Sequence, residues 1–589
     1  MKRESIIDGA NATMQMLGLS DAIARGLSAA MQAEQAGHSF VALEAPEFPE
    51  FAGSSLADAL HGAPDLHRIA LSPSPEKPVG ASCLLVLDQH RHLYLRRHWQ
   101  AESAIASAIA ARLKNWPIAS LSPKPNTLLP AGEPELLAAN ALIAHGFALV
   151  TGGPGSGKTS AAAKLALAYL LHQKPGPQRV LLAAPTGKAA ARLKSSFESQ
   201  TAVLRTELSD THPAVFASLA KAQALTLHRL LGYQPQQSRK PLFARRADSP
   251  IDADLVIIDE ASMLSLELMQ RLLDALHPQT ALLLLGDAAQ LPAVHCGRPF
   301  ADLVEALAQH PAKPLAALTR QWRSQPKLAE LAAQVRALKA DSPNMLADCL
   351  AALEPYIGEP EAQNATLMRV LSCRVQAGSF DALMQAESPE SAWLAGQSQR
   401  FLTPLRQGAQ GQLALNDQLE ALLLARFPRT VHLQGKQRFF AGKLFMATVN
   451  DPVLGLYNGD VLLAWPNSQG ELWLWFEQDG ELQNLAPALV KGLESAWIMT
   501  VHKAQGSEFD TVDMLLPSMN LLSHDQLFDN ALLYTAITRA RSTLRLHGDR
   551  QTLQHALSAK QTRNSGLMEK MHRAIGEAAS NQSDAQALR

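Results

Sequence analysis

The sequence predicts an α/β chain with two doubly wound domains, an N-terminal accessory segment and a small β-rich insertion in the second domain. Three observations predict it. The runs Phe147–Thr151, Val180–Ala184, Leu255–Ile258 and Ala281–Leu285 are apolar throughout, and each feeds a helix-like stretch; continuous rather than alternating apolarity suits parallel strands buried on both faces. A second set at Phe401–Leu405, Trp497–Val501, Val512–Leu516 and Thr543–Leu546 repeats the pattern and predicts a second α/β domain. Inside that set, Val431 to Leu485 carries short strand signals with turns at Tyr457-Asn458-Gly459-Asp460 and Asn467-Ser468-Gln469-Gly470, which fits a small inserted β-barrel.

In chain order, residues 1–121 form the accessory domain, which the Pro/Gly-rich stretch Ser122–Pro134 sets off from the rest of the chain. The first α/β domain is expected over 135–325 and the second over 326–550, with the insertion at about 431–490. Pro326 to Arg400 reads mainly helical, and 551–589 is a helical tail that turns polar near Ala578–Arg589.

A chain of 589 residues is several times longer than one ordinary domain. It is 47 % hydrophobic but has no run of about 18 apolar residues, so no membrane span is expected. The opening Met-Lys-Arg-Glu-Ser-Ile-Ile-Asp leads into no apolar h-region, and the cytoplasm is the expected location. Cys83, Cys296, Cys349 and Cys373 lie far apart without CxxC spacing; they read as buried small hydrophobes rather than zinc, iron–sulfur or disulfide sites. A net charge of −1 gives no global signature of a polyanion partner. Yet Gln178 to Ser249 holds eleven Lys/Arg against four acids, a local positive face suited to phosphates.

Chemistry enters at Gly152-Gly153-Pro154-Gly155-Ser156-Gly157-Lys158-Thr159, which satisfies GxxxxGK[ST] between an apolar strand and an Ala/Leu-rich helix. Glycines let backbone N–H groups close on phosphate oxygens, the helix N-terminus adds positive potential, Lys158 reaches the β- and γ-phosphates, and the Thr159 hydroxyl ligates Mg²⁺. ATP with Mg²⁺ is the expected cofactor. Asp259-Glu260 closes the strand Leu255–Ile258, where Asp259 joins Thr159 in holding Mg²⁺ and Glu260 activates water. Adjacent carboxylates at a strand end are often only solvated; the upstream loop favours the catalytic reading. Gly286-Asp287 leads to Gln290, placed where a γ-phosphate is sensed.

The order of motifs over 147–549 resembles a superfamily 1 helicase. Pro185-Thr186-Gly187-Lys188-Ala189-Ala190 is similar to motif Ia, Leu318-Thr319-Arg320-Gln321-Trp322-Arg323 to motif IV, Thr500 to Phe509 (TVHKAQGSEF) to motif V, and Leu533 to Ala540 (LYTAITRA) to motif VI. The resemblance implies two RecA-like P-loop NTPase domains, with Arg323 and Arg539 as arginine fingers opposite Lys158. It implies strand contacts from Thr186, Lys188, His228, Thr500 and His502. Narrower features resemble the RecD family, alpha subunits of exodeoxyribonuclease V: Leu93 to Glu102 (LYLRRHWQAE), Thr226 to Gly232 (TLHRLLG), Thr403-Pro404-Leu405-Arg406 with Leu415-Asn416, and Asn450-Asp451 with Gly455 to Asp460. That resemblance implies an SH3-like barrel as the insertion and a 5′→3′ DNA helicase in a heterotrimer with RecB-like and RecC-like subunits. Single strands and duplex ends would be its DNA substrates, in double-strand-break repair, recombination and linear DNA degradation.

Three further features bear on function. Counting back from the P-loop, Glu135 stands where the family has an adenine-reading Gln. No cluster of carboxylates with a Lys lies outside the ATPase motifs, so a nuclease centre is expected in another subunit. The alternatives are a free-standing RecD-like helicase and a non-hydrolysing DNA-binding regulatory subunit.

Overall fold

The computed structural model describes residues 19–43, 54–73, 79–80, 82–116, 129, 133–173, 176–208, 212–234, 242–320, 325–338, 342–357, 367–435, 437–451, 453–478, 480–518, 528–559 and 563–576. Near the N-terminus, β1 (Phe40–Ala42), β2 (Ile69–Leu71), β3 (Leu85–Leu87) and β4 (His92–Leu95) form a sheet in the order β1-β4-β3-β2. The helix Asp21–Gln35 turns Ile23, Gly26, Ala29, Ala30 and Ala33 inward, and Ile23, Ala29, Ala30 and Ala33 share a small core with Leu85, Leu87 and Leu93. Small residues at this spacing let a helix lie close to a sheet.

The first large sheet consists of β5 (Phe147–Gly152), β6 (Val180–Ala184), β7 (Gln223–Thr226), β8 (Leu255–Ile258), β9 (Ala281–Gly286) and β10 (Leu315–Leu318), in the order β10-β5-β9-β8-β6-β7. Every pairing in it is parallel. Alternate residues of the same strands serve two cores. Phe147, Leu149, Val256, Ile258, Leu282 and Leu284 face one side; Ala148, Val150, Leu255, Ile257, Leu283 and Leu285 face the other. This two-sided burial is why the runs are apolar throughout. The two strands with no counterpart among the expected runs, β7 and β10, are the sheet edges, where one flank lacks a partner and polar or small residues suffice.

The second large sheet begins with β11 (Gln399–Thr403). Its insertion then supplies the hairpin β12 (His432–Gln434) and β13 (Gln437–Phe439), followed by β14 (Leu444–Ala447), β15 (Val461–Pro466), β16 (Leu472–Gln478), β17 (Glu481–Leu485) and β18 (Leu493–Ser495). The last five pair as an antiparallel sheet in the order β17-β16-β15-β14-β18 around Phe445, Leu462, Leu474 and Phe476. The chain returns through β19 (Ile498–Thr500), β20 (Phe509–Leu515) and β21 (Ala540–His547), all parallel, in the order β19-β11-β20-β21.

Packing redraws two expected boundaries. The helix Arg96–Asn115, assigned to the accessory domain, puts Ala101, Ile105, Ile109 and Leu113 into the core of the first large sheet. The tail divides: Leu553, Ala556 and Leu557 join the second core, whereas Leu567 and Met571 join the first. Lys570 is tied there to the fully buried Glu102, which also accepts hydrogen bonds from Ser39 Oγ (2.6 Å) and Gly566 N (3.0 Å). The cysteines also differ from expectation, since Cys296 and Cys349 are buried but Cys83 is half-buried and Cys373 exposed.

Candidate nucleotide site at the seam of the two parallel sheets

The carboxyl ends of β5, β9 and β8 lie side by side in the first sheet and carry Gly152–Thr159, Asp287–Gln290 and Asp259-Glu260. That is where open parallel sheets bind ligands. At the P-loop, Gly155 (φ 75°) and Gly157 (φ 88°) take left-handed conformations, and Gly157 caps the helix Lys158–Leu171. A Cβ on Gly152 would stand 2.5 Å from Ser156 Oγ and 3.0 Å from Leu318 O, so this position has room only for glycine. Lys158 Nζ donates to Gly152 O (2.8 Å) and Gly153 O (3.1 Å), and Ser156 Oγ is buried without a hydrogen-bond partner. A loop of left-handed glycines, an orphaned hydroxyl, a lysine held only by carbonyls and open helix N–H groups fit a polyphosphate.

Asp259 N donates to Ala183 O (2.9 Å), and its Oδ1 accepts from Glu260 N (2.8 Å). Burial, then the neighbouring Glu260 carboxylate, pushes the Asp259 carboxyl up to about 6 against the pull of Lys158. Crowded carboxylates of this kind are relieved by a divalent cation, and Asp259 with Thr159 supplies oxygen ligands of the right type. Glu260 adopts a left-handed conformation (φ 52°), uncommon for a residue with a Cβ and a feature that collects at functional turns.

Beyond β9, the carboxylate of fully buried Asp287 accepts from Ala289 N (3.1 Å), Gln290 Nε2 (3.1 Å) and Tyr534 Oη (2.8 Å). Tyr534 belongs to the second domain. Leu291 N donates to Thr535 Oγ1 (3.1 Å), Gln505 Nε2 donates to Leu291 O (2.9 Å), and the Leu291 side chain is part of the second domain's core. The two sheets therefore meet at the loop that carries Gln290. Sequence reasoning passed over Asp287 and Tyr534 as functional residues, although both sit inside recognisable motifs.

Of the two expected far-side arginines, Arg323 lies outside the described residues. Arg539 is buried, with Nε on Thr535 O (3.0 Å), Nη1 on Ser507 O (3.2 Å) and Nη2 on Thr538 Oγ1 (3.2 Å). Its guanidinium is thus engaged within its own domain. Arg192, counted in the sequence only as part of a basic stretch, crosses the seam instead: Nη1 donates to Gly506 O (2.6 Å). Burial holds its guanidinium below the usual range, with Glu508 and Glu260 opposing and Arg541 and Arg539 reinforcing that effect.

The expected strand-contact residues occupy the ends of β6, β7 and β19. Thr186 Oγ1 caps the helix Gly187–Glu207 by accepting from Ala189 N (3.2 Å). Burial, then the charges of Arg192 and Arg400, press the Lys188 ammonium down to about 7, with Asp460 and Glu477 of the insertion opposing. His228 is exposed and stacks edge-on against Tyr233, with ring centroids 5.3 Å apart. Thr500 is buried and accepts from Lys503 N (3.4 Å), while burial lowers His502 from its usual value. At the expected base-reading position, Glu135 Oε2 is buried without a partner, two residues after Glu133, which pairs with Arg320 (3.6 Å).

Two parallel α/β sheets that meet at the Gln290 loop, with a P-loop on the neighbouring strand end, have the architecture of an ATP-dependent helicase motor. Family models agree: the AAA domain matches residues 136–296 and the UvrD-like helicase C-terminal domain matches 495–547. The chain is 33 % identical over 487 residues to the RecBCD enzyme subunit RecD of Mycolicibacterium smegmatis, covering 81 % of this chain and 82 % of that protein. It is 28 % identical over 529 residues to the RecBCD enzyme subunit RecD of Haemophilus influenzae, covering 81 % and 79 %. With the ATP-dependent RecD2 DNA helicase of Deinococcus radiodurans it shares 28 % identity over 550 residues, covering 91 % and 67 %. The chain belongs to the RecD family. Among the described residues, no helix is long and apolar enough to cross a membrane.

Proposed function

We propose that the chain is a 5′→3′ DNA translocase and helicase that works with RecB-like and RecC-like subunits in a cytoplasmic heterotrimer processing DNA ends. The observation that carries the motor reading is the seam itself: the loop bearing Gln290 is held from the other domain by Tyr534, Thr535 and Gln505. A nucleotide on the Gly152–Thr159 loop lies beside that seam, so changes at its γ-phosphate bear on domain closure.

In this reading the backbone of Gly152–Thr159 holds the phosphates, Lys158 leaves the Gly152 and Gly153 carbonyls for the β/γ-phosphates, and Thr159 with Asp259 holds Mg²⁺. Bound there, Mg²⁺ neutralises phosphate charge. Glu260 takes the proton of the attacking water and Gln290 orients that water. Arg539, with Arg323, stabilises charge from the far side, which requires Arg539 to exchange its contacts with Thr535 and Ser507. Thr186, Lys188 and His228 on one domain, and Thr500 and His502 on the other, grip the strand, while the insertion acts as an SH3-like module of the second motor domain. Opening and closing of the cleft then advances the strand.

The subunit reading draws support from coverage: the chain spans 82 % of the mycobacterial RecD subunit but 67 % of the Deinococcus RecD2 helicase. Purified chain is expected to show ATPase activity stimulated by single-stranded DNA and abolished in Lys158→Gln, and to unwind 5′-tailed duplexes. Loading only on 3′ tails would overturn the polarity, and a DNA-insensitive ATPase would overturn the motor.

A further inference from the structure

The geometry points to Tyr534 as a positioning residue that acts through Asp287 to fix the carboxamide of Gln290, so that the second domain sets the orientation of the first domain's water-orienting side chain. This rests on Gln290 being the residue that orients the attacking water.

Donor and acceptor chemistry decides which end of Gln290 meets Asp287. A buried carboxylate only accepts, so the group that Gln290 presents to Asp287 Oδ2 at 3.1 Å must be its NH₂. The carbonyl oxygen is thereby turned away from Asp287 and is the acceptor left for a water proton. The same Oδ2 takes the Tyr534 hydroxyl at 2.8 Å, so the two donors share one oxygen and either one's departure changes the hold on the other. Asp287 itself is fully buried and fixed by Ala289 N through Oδ1. It has little freedom to compensate.

The surroundings make this link matter. A cavity of about 530 Å³ opens beside it between the domains, lined by Gln290, Tyr534, Ser262, Arg336 and Arg563. Gln290 itself is only 5 % exposed, so the cavity reaches just its edge, where a water can meet the carboxamide. Leu291, the next residue, is anchored by Thr535 and Gln505 from the second domain. Motion of the helix Asn530–Ile537 therefore reaches Gln290 both along the chain and through the Tyr534 hydroxyl.

The test is a double-mutant cycle on the full chain, reading ATP turnover with saturating oligo(dT) and thermal melting. Tyr534→Phe keeps the ring and removes only the hydroxyl. It is expected to lower kcat about tenfold with KM for ATP within about twofold, because positioning for the chemical step is lost while binding is kept. Gln290→Ala is expected to lower kcat further. Combining the two is expected to be no worse than Gln290→Ala alone, since Tyr534 acts through Gln290. Independent, multiplicative losses would overturn the relay while leaving Gln290 in its role. Normal turnover in Gln290→Ala would overturn the reading of Gln290 itself and the relay with it. A Tyr534→Phe effect confined to KM or to melting temperature would reduce Tyr534 to a packing residue. If Tyr534→Phe does not fold, Asp287→Asn takes its place in the same cycle, with the same three outcomes.

Discussion

The ring of Tyr457 in the insertion lies against the backbone of Gly187 in the first motor domain: a Cβ built on Gly187 would stand 2.5 Å from the ring's Cγ and 2.7 Å from Cδ2. The Tyr457 hydroxyl accepts from Arg229 Nη1 at 3.1 Å. One side chain thus seats the insertion on the ends of both β6 and β7.

Gly187→Ala tests that seat. The added methyl overpacks a contact with no slack, which costs about 1–3 kcal/mol where the neighbour cannot move. A lower melting temperature is expected, with partial recovery in Gly187→Ala combined with Tyr457→Ala. Equal melting of Gly187→Ala and the parent chain would mean that the insertion does not rest there.

Lys188 gives a pH prediction. Burial, with Arg192 and Arg400, presses its ammonium to about 7, whereas an unfolded lysine titrates at about 10.4. Between those values the unfolded chain binds more protons, so stability rises with pH from about 7 to about 10 through this group. In the proposed strand grip, a phosphate beside Lys188 would favour the protonated form, so DNA binding would take up a proton. Affinity for single-stranded DNA is expected to fall between pH 7 and 9 at constant salt. Lys188→Arg, charged throughout, is expected to flatten that fall; a slope unchanged in Lys188→Arg would assign the proton elsewhere.

The central strands were legible because burial on both faces demands unbroken apolar runs, as at Leu255–Ile258 and Val180–Ala184. The edge strand Gln223–Thr226 was not, since an edge needs less apolarity, and Leu315–Leu318 was not because a four-residue Leu/Ala run carries no strand-specific pattern. The P-loop and Asp259-Glu260 were legible because phosphate chemistry fixes residue types at fixed spacing. Arg192, Tyr457 and the Asp287–Tyr534 pair were not. Their roles arise from contacts between residues 228 to 314 positions apart, and no local pattern records such a contact. The helix Arg96–Asn115 enters two cores, Trp99 packing with Phe40 and Tyr94, and Ile105 and Ile109 under the first large sheet; its apolar positions are plain in sequence, but not which core each enters.

A stability prediction concerns Glu102 and Lys570. Glu102 is fully buried, and Lys570 pairs with it while lying 4.0 Å from the Trp99 ring centroid and 4.4 Å from that of Tyr94. Lys570→Met leaves a buried carboxylate without its counterion, a loss of about 3–5 kcal/mol. Adding Glu102→Gln removes the stranded charge and is expected to recover much of it. Chemical denaturation reads both, and equal stability of the single and double variants would exclude a net role for the pair.

Glu135 bears on base selectivity. Its Oε2 is a buried acceptor without a partner, and a carboxylate accepts from an adenine amino group but offers no donor to guanine O6. Guanine would bring a carbonyl oxygen against that carboxylate, leaving two acceptors unpaired. A site built this way rejects the mismatched base strongly. If Glu135 contacts the base, the parent chain is expected to prefer ATP to GTP in kcat/KM, and Glu135→Gln, whose amide accepts from the adenine amino group and also donates to N7, to widen that preference about threefold or more. Steady-state turnover with each nucleotide measures it. An ATP/GTP ratio that Glu135→Gln leaves unchanged would remove Glu135 from the base site and return its buried oxygen to a packing role at the start of the helix Pro134–His145.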